Sequence, residues 1–236
     1  MSKSQPHIVL YGILETPYTQ KVIRALRFKG LAFELHEPKS PEDIRRWSPE
    51  TGLLPVAEID GQHVTDSEAI LDEIDRRVPE PRLLSKDPKI AREQQRLASW
   101  VGETVRFYMV RWVAARLGRA AVGTARDEEG RALGPMARMG LIGDDGQLVP
   151  EAYDTSKVGF GPEFERRLED LVGMLGEREW FFGGSLSRAD LAVASSLSGM
   201  FTDRYPGSRA LLERYPTLVR HYERVAAATG GQDLGG

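Results

Sequence analysis

The sequence predicts an α+β domain followed by an all-helical bundle. Up to about residue 78, short β-rich runs alternate with stretches of helical periodicity. A proline-rich break, PEPRLLSKDP (Pro79–Pro88), interrupts that pattern. Beyond it almost every periodic segment has helical spacing.

The first unit reads β-α-β-α-β-β-α. HIVLYG (His7–Gly12) is a short β-rich run ended by glycine. Pro17 fits the first turn of the next helix, where its missing N–H costs nothing. Val22, Ile23, Leu26 and Phe28 give that helix a buried side, and Gly30 ends it. AFELHE (Ala32–Glu37) is the second strand. SPEDIRRW (Ser40–Trp47) starts a helix with Ser40 as N-cap, Pro41 at the first position and acids in the first turn. LPVAEID is a strand, Gly61 a turn and QHVT the returning strand. DSEAILDEIDRRV is a helix with Asp66 or Ser67 at its cap.

In the second unit, Lys89–Leu117 is one long periodic segment. GPEFERRLEDLVGML is amphipathic, with Pro162 suiting a helix start, and SLSRADLAVASSLSGMF is a small-residue apolar helix expected to be buried. YPTLVRHYERVAAA is the last helix, and TGGQDLGG a frayed tail. The stretch 118–161 is rich in glycine and charge. It is expected to hold a helical piece around Met136–Met139 and a mobile loop or hairpin near LIGDDGQLV. The expected domains are 1–80 and 88–236, joined by a linker at 81–87.

A chain of 236 residues is long enough for one large core or two smaller ones. Its net charge of −3 argues against nucleic acid as a partner. Zero cysteines exclude disulfides, thiolate–metal sites and a cysteine nucleophile. The four histidines show no paired metal spacing, so no metal is expected. The start lacks a signal-peptide pattern and no apolar run approaches the roughly 20 residues of a membrane span. The expectation is a soluble cytoplasmic protein with no membrane partner.

Four motifs bear on chemistry. In YGILETPYTQKVIRAL (Tyr11–Leu26), Thr16 stands at a strand-to-helix turn. It can simply cap the helix. Alternatively, its hydroxyl and the N-terminal N–H groups can stabilise a bound thiolate, whose pKa would fall from about 8.5 toward neutral. In GLLPVAEIDG (Gly52–Gly61), a proline opens a strand. A cis Leu54–Pro55 bond would expose the Leu54 N–H and C=O, but cis occurs in only about 5–6% of X–Pro bonds, so spacing leaves the isomer open. In TDSEAI (Thr65–Ile70), Asp66 and Ser67 form either a cap or a clamp in which Ser67 holds a carboxylate and Asp66 an ammonium. In GGSLSRADLA (Gly183–Ala192), Ser187 and Asp190 read as a capping box with Leu186 as hydrophobic staple: a folding element, not a site.

In this order and spacing, YGILETPYTQKVIRAL, GLLPVAEIDG, DSEAIL and FFGGSLSRADLAVASSL resemble the glutathione S-transferase family over nearly the whole chain. The resemblance implies a thioredoxin-like N-terminal domain (βαβαββα), then an all-α helical bundle. It implies glutathione as co-substrate, Pro55 as cis-proline, Leu54 pairing with the cysteinyl backbone of glutathione, and Asp66 and Ser67 holding the γ-glutamyl end. Ser187 and Asp190 match the family's capping signature. The substrate thiol would attack a small, hydrophobic electrophile, whose pocket Tyr108, Met109 and Trp112 of RFYMVRW are candidates for lining. A homodimer and a role in detoxification are also implied.

The sequence departs from the family pattern at several points. Thr16 stands where members carry serine or cysteine, and its extra methyl restricts χ1. Tyr11 is near the end of the first strand, where other branches place a tyrosine, but the turn after it is longer; Tyr18 and Thr19 are lesser candidates. Leu53 replaces a polar residue before the proline, and 118–161 resembles an insertion. These departures carry the alternative, a non-catalytic binding or scaffold protein using that insertion to contact a protein partner.

Overall fold

The structure, a computed structural model, describes residues 5–117, 160–202, 205 and 207–231. The predicted insertion at 118–161, with the helical piece at Met136–Met139 and the hairpin near Leu141, lies almost wholly outside the described residues. Of the predicted frayed tail, residues 232–236 also lie outside them.

The first unit comprises β1 (Ile8–Tyr11), α1 (Pro17–Phe28), β2 (Glu34–His36), α2 (Pro41–Trp47), β3 (Val56–Ile59), β4 (Gln62–Thr65) and α3 (Ser67–Arg77). Its sheet has the order β2-β1-β3-β4, with β1 parallel to β2 and antiparallel to β3, and β3 antiparallel to β4. This is the thioredoxin-like βαβαββα arrangement. Strand alternation sorts the side chains by face. Ile8, Leu10, Ala57 and Ile59 join the main core with residues of α1 and α3. Tyr11 faces the other way, and its ring lies 4.8 Å from that of Trp47 at the end of α2. Asp60 (φ 50°) and Gly61 (φ 79°) make the tight β3–β4 turn, which requires positive φ.

The helical unit comprises α4 (Pro88–Trp100), a π-helical turn (Val101–Val105), α5 (Arg106–Leu117), α6 (Phe160–Leu175), α7 (Arg188–Phe201), α8 (Ser208–Glu213) and α9 (Pro216–Ala228). The predicted single segment from Lys89 to Leu117 is thus broken by a wider turn. One extra residue per turn rotates everything after it about the helix axis, yet apolar residues still recur, so periodicity does not reveal it. The short helix α8 was not anticipated either. Among the described residues no helix is long and apolar enough to cross a membrane.

Helix α7 is buried along nearly its whole length. Its Ala189, Ala192, Ala194, Ser195, Ser196 and Ser198 are small, so α1, α4, α8 and α9 can pack closely around it. The capping box at its start is formed: the Asp190 carboxylate accepts from the Ser187 N–H (2.9 Å) and hydroxyl (2.6 Å). It also accepts from the Phe181 N–H (2.9 Å) and meets His221 Nε2 of α9 at 2.9 Å.

One apolar core runs through both units, from Leu10, Ile23 and Ile70 to Phe164, Leu191 and Leu212. Helix α1 lies between sheet and bundle, which explains its buried polar residues. Arg24, 1% exposed, donates to the Tyr222 hydroxyl at 3.2 Å and the Thr229 hydroxyl at 3.4 Å.

Candidate functional site

Strand register gathers the candidate residues. His36, Tyr11, Val56 and Thr65 form one row across the four strands. Three segments leave that row at the same end of the sheet: the loop after Tyr11 that starts α1, the Leu54–Pro55 pair that enters Val56, and the Asp66–Ser67 pair that follows Thr65.

The α1 start is tightly built. The Gly12 N–H donates to the His36 carbonyl at 3.0 Å. A Cβ on Gly12 would lie 2.6 Å from Thr19 Oγ1, so any larger residue there must displace Thr19 or the helix start. Thr16 is the N-cap. Its oxygen accepts from the Thr19 N–H at 3.3 Å, while its single proton lies between the Ile13 carbonyl (3.0 Å) and Thr19 Oγ1 (2.9 Å). Hydroxyl donation to a ligand would therefore require that proton to turn away from the protein. Among the described residues the Tyr18 N–H, in the same first turn, has no acceptor. That orphan donor stands at the positive end of the helix.

The Leu54–Pro55 bond is cis. Pro55 is buried and Leu54 half-buried. The Leu54 N–H and C=O make no hydrogen bond among the described residues, so an extended chain could pair with both. Leu53 is half exposed.

At the third segment Asp66 has φ 75° and ψ 135°. This region is sparsely populated by side-chain-bearing residues and costs about 1–3 kcal/mol. Unlike Asp60, Asp66 is not in a hairpin turn that would explain it. Its Oδ1 accepts from the Glu68 N–H (2.8 Å) and the Ala69 N–H (3.3 Å), leaving Oδ2 free among the described residues. Ser67 is buried, yet its hydroxyl has no hydrogen-bond partner among the described residues.

Glu68 joins this corner to the helical unit, an arrangement nothing in the sequence signalled. Its carboxylate pairs with Lys21 of α1 and, at 3.2 Å, with Arg188 of α7. Arg188 also reaches Asp72 at 2.7 Å. Burial pushes the Glu68 carboxyl up, but Lys21 and Arg188 outweigh it and hold it below the usual range.

The remaining candidates are spread out. Tyr11 packs between His36 and Trp47 on the α2 side of the sheet. Met109 and Trp112 lie in the core, with Trp112 5.8 Å from Phe164. Tyr108 keeps exposed surface and touches Phe107 edge-on. Ser187 and Asp190 are buried at the base of α7 as a folding element.

A family model described as the N-terminal domain of glutathione S-transferase matches residues 10–82. A second, described as the C-terminal domain, matches residues 151–230, and together they span more than half of the chain. No curated protein matches it. Among solved structures, it is similar to a glutathione S-transferase from Methylobacillus flagellatus KT with glutathione bound (TM-score 0.69, 19% identity, 95% of this chain and 100% of that one). It is also similar to the apo form of human glutathione S-transferase T1-1 (TM-score 0.67, 18% identity, 94% and 84% covered). A glutathione S-transferase from Rhodospirillum rubrum F11 gives a TM-score of 0.62 at 23% identity, with 94% and 88% covered. At such identities the likeness speaks for the fold, and it joins the two domain matches on one conclusion: the chain belongs to the glutathione S-transferase family.

Proposed function

We propose that this protein is a glutathione transferase, binding glutathione along the row of strand ends and directing its thiolate at a small electrophile. One observation carries the reading. The cis Leu54–Pro55 pair, with free Leu54 backbone groups, stands in register between two helix starts, one of which holds a strained Asp66 and the buried Ser67, whose hydroxyl has no partner among the described residues. Each element suits one part of the tripeptide. The Leu54 N–H and C=O would pair with the cysteinyl residue as an added strand does. Ser67 and the α3 start would hold the γ-glutamyl carboxylate, and Asp66 Oδ2 would accept from its ammonium. The thiolate would then lie by the α1 start, where the Tyr18 N–H and the helix dipole favour negative charge. It would attack the electrophile, form the new bond to sulfur and expel the leaving group with the bonding pair. The homodimeric assembly is proposed on family grounds.

Thr16 favours a second reading. Its proton is engaged by Ile13 and Thr19, as in an ordinary cap, which suits a non-catalytic binding or scaffold protein on the glutathione S-transferase fold. Titration calorimetry separates the two. Glutathione should bind in the micromolar to low millimolar range, and Ser67→Ala should weaken it about tenfold. Thr16→Val should then lower turnover with a model electrophile. No heat and no retention on immobilised glutathione would overturn the transferase reading, and binding without turnover would favour the second.

A further inference from the structure

Arg106 begins α5 directly after the π-helical turn and is only 7% exposed. Its guanidinium carbon lies 4.9 Å from the centroid of the Tyr18 ring, in the first turn of α1. Among the described residues nothing accepts a hydrogen bond from it and no carboxylate pairs with it. Other arginines at this interface differ: Arg188 meets Glu68 and Asp72, and Arg24 meets two hydroxyls. A buried charge is costly unless it is paired. Among the described residues, Arg24 has one nitrogen and Arg188 two that are sealed from solvent and without a hydrogen bond, whereas Arg106 has none. Its unpaired nitrogens therefore keep contact with solvent, in a side chain held against Tyr18, whose N–H also lacks an acceptor. The cation–π contact with Tyr18 holds the plane of the fork in place.

We propose that Arg106 is a binding residue for a carboxylate on the second substrate, so that the electrophile is an organic acid. A guanidinium presents parallel N–H donors that match a carboxylate, and burial strengthens that pair. This deepens the transferase reading and rests on it. Glutathione itself carries carboxylates, so the test must separate the two sources.

The experiment is calorimetric titration of glutathione, S-benzylglutathione and S-(4-carboxybenzyl)glutathione into the full chain and three variants. The variants are Arg106→Met, Arg106→Lys and, as control, Arg96→Met, whose exposed side chain pairs with Glu93. Circular dichroism verifies folding. The carboxylated conjugate should bind wild type about tenfold or more tighter than S-benzylglutathione. Arg106→Met should erase that ratio while glutathione affinity changes less than about threefold; Arg106→Lys should keep part of it, and Arg96→Met all of it. A wild-type ratio near one overturns the inference even if Arg106→Met does not fold. So does a ratio that survives in Arg106→Met, or an equal loss for all three ligands, which would place the guanidinium on glutathione itself. Failure of every ligand to bind wild type overturns the transferase reading and this inference with it.

Discussion

Gly12→Ala tests how tightly the α1 start is built. The added Cβ would lie 2.6 Å from Thr19 Oγ1, 2.7 Å from Cγ2 and 3.2 Å from Cβ. Favourable carbon contacts begin near 3.5 Å, so two atoms overlap by nearly 1 Å. Thr19 is fully buried and cannot swing into solvent. Turning χ1 moves Oγ1 and Cγ2 between crowded positions, and β-branching leaves few alternatives. The helix start must therefore shift, at about 1–3 kcal/mol. Thr19→Ala alone removes one of the two acceptors of the Thr16 hydroxyl and a buried methyl, costing about 1–2 kcal/mol. In the double variant the offending atoms are gone and only the 3.2 Å approach to Thr19 Cβ remains. The two losses should then fall short of additive by about 1–3 kcal/mol. Urea unfolding of the four proteins, followed by far-ultraviolet circular dichroism, gives the coupling directly. Gly12→Ala should also weaken glutathione binding, since Thr16 and Tyr18 move with the helix start. Losses that add within about 0.5 kcal/mol, or a Gly12→Ala protein as stable as wild type, would refute the reasoning.

Two further predictions follow from paired carboxylates. Asp190→Ala strands the Phe181 and Ser187 N–H groups and His221, and should cost about 3–5 kcal/mol in urea unfolding, against about 1 kcal/mol for Ser187→Ala; equal effects would show that Asp190 is no hub. Glu68 has its carboxyl held below its ordinary 4.5, so its contribution is complete above that value and is lost as pH falls through the lowered one. Wild type should therefore be more stable than Glu68→Gln at pH 7, with the gap closing as pH drops below about 4.5; a gap independent of pH between 7 and 3 would contradict the pairing with Lys21 and Arg188.

Much of the fold was legible in the chain because its signals are local. Pro17, Pro41 and Ser40 mark helix starts through backbone chemistry within one turn, and Ser187 with Asp190 closes a capping box over three residues. The order of strands and helices in the first unit likewise followed from period and punctuation. Local signals failed where a change leaves periodicity intact, as with the π-helical turn at Val101–Val105 and the short helix Ser208–Glu213.

The sequence by itself determined which residues could form the row of the site: Thr16, Leu54, Pro55, Asp66 and Ser67 each stand beside a strand end or helix start that it marks. It left open the isomer of the Leu54–Pro55 bond, because either form satisfies the same spacing. Only the tertiary structure decided the rest. It turned Tyr11 toward Trp47, placed Met109 and Trp112 in the core, and brought Lys21, Glu68 and Arg188 together from three helices. It also set Arg106 against Tyr18, 88 positions earlier in the chain. Pairings of that kind depend on the packing of α1 between sheet and bundle, and no spacing along a chain encodes which charges will meet across such an interface or which will be left without a partner.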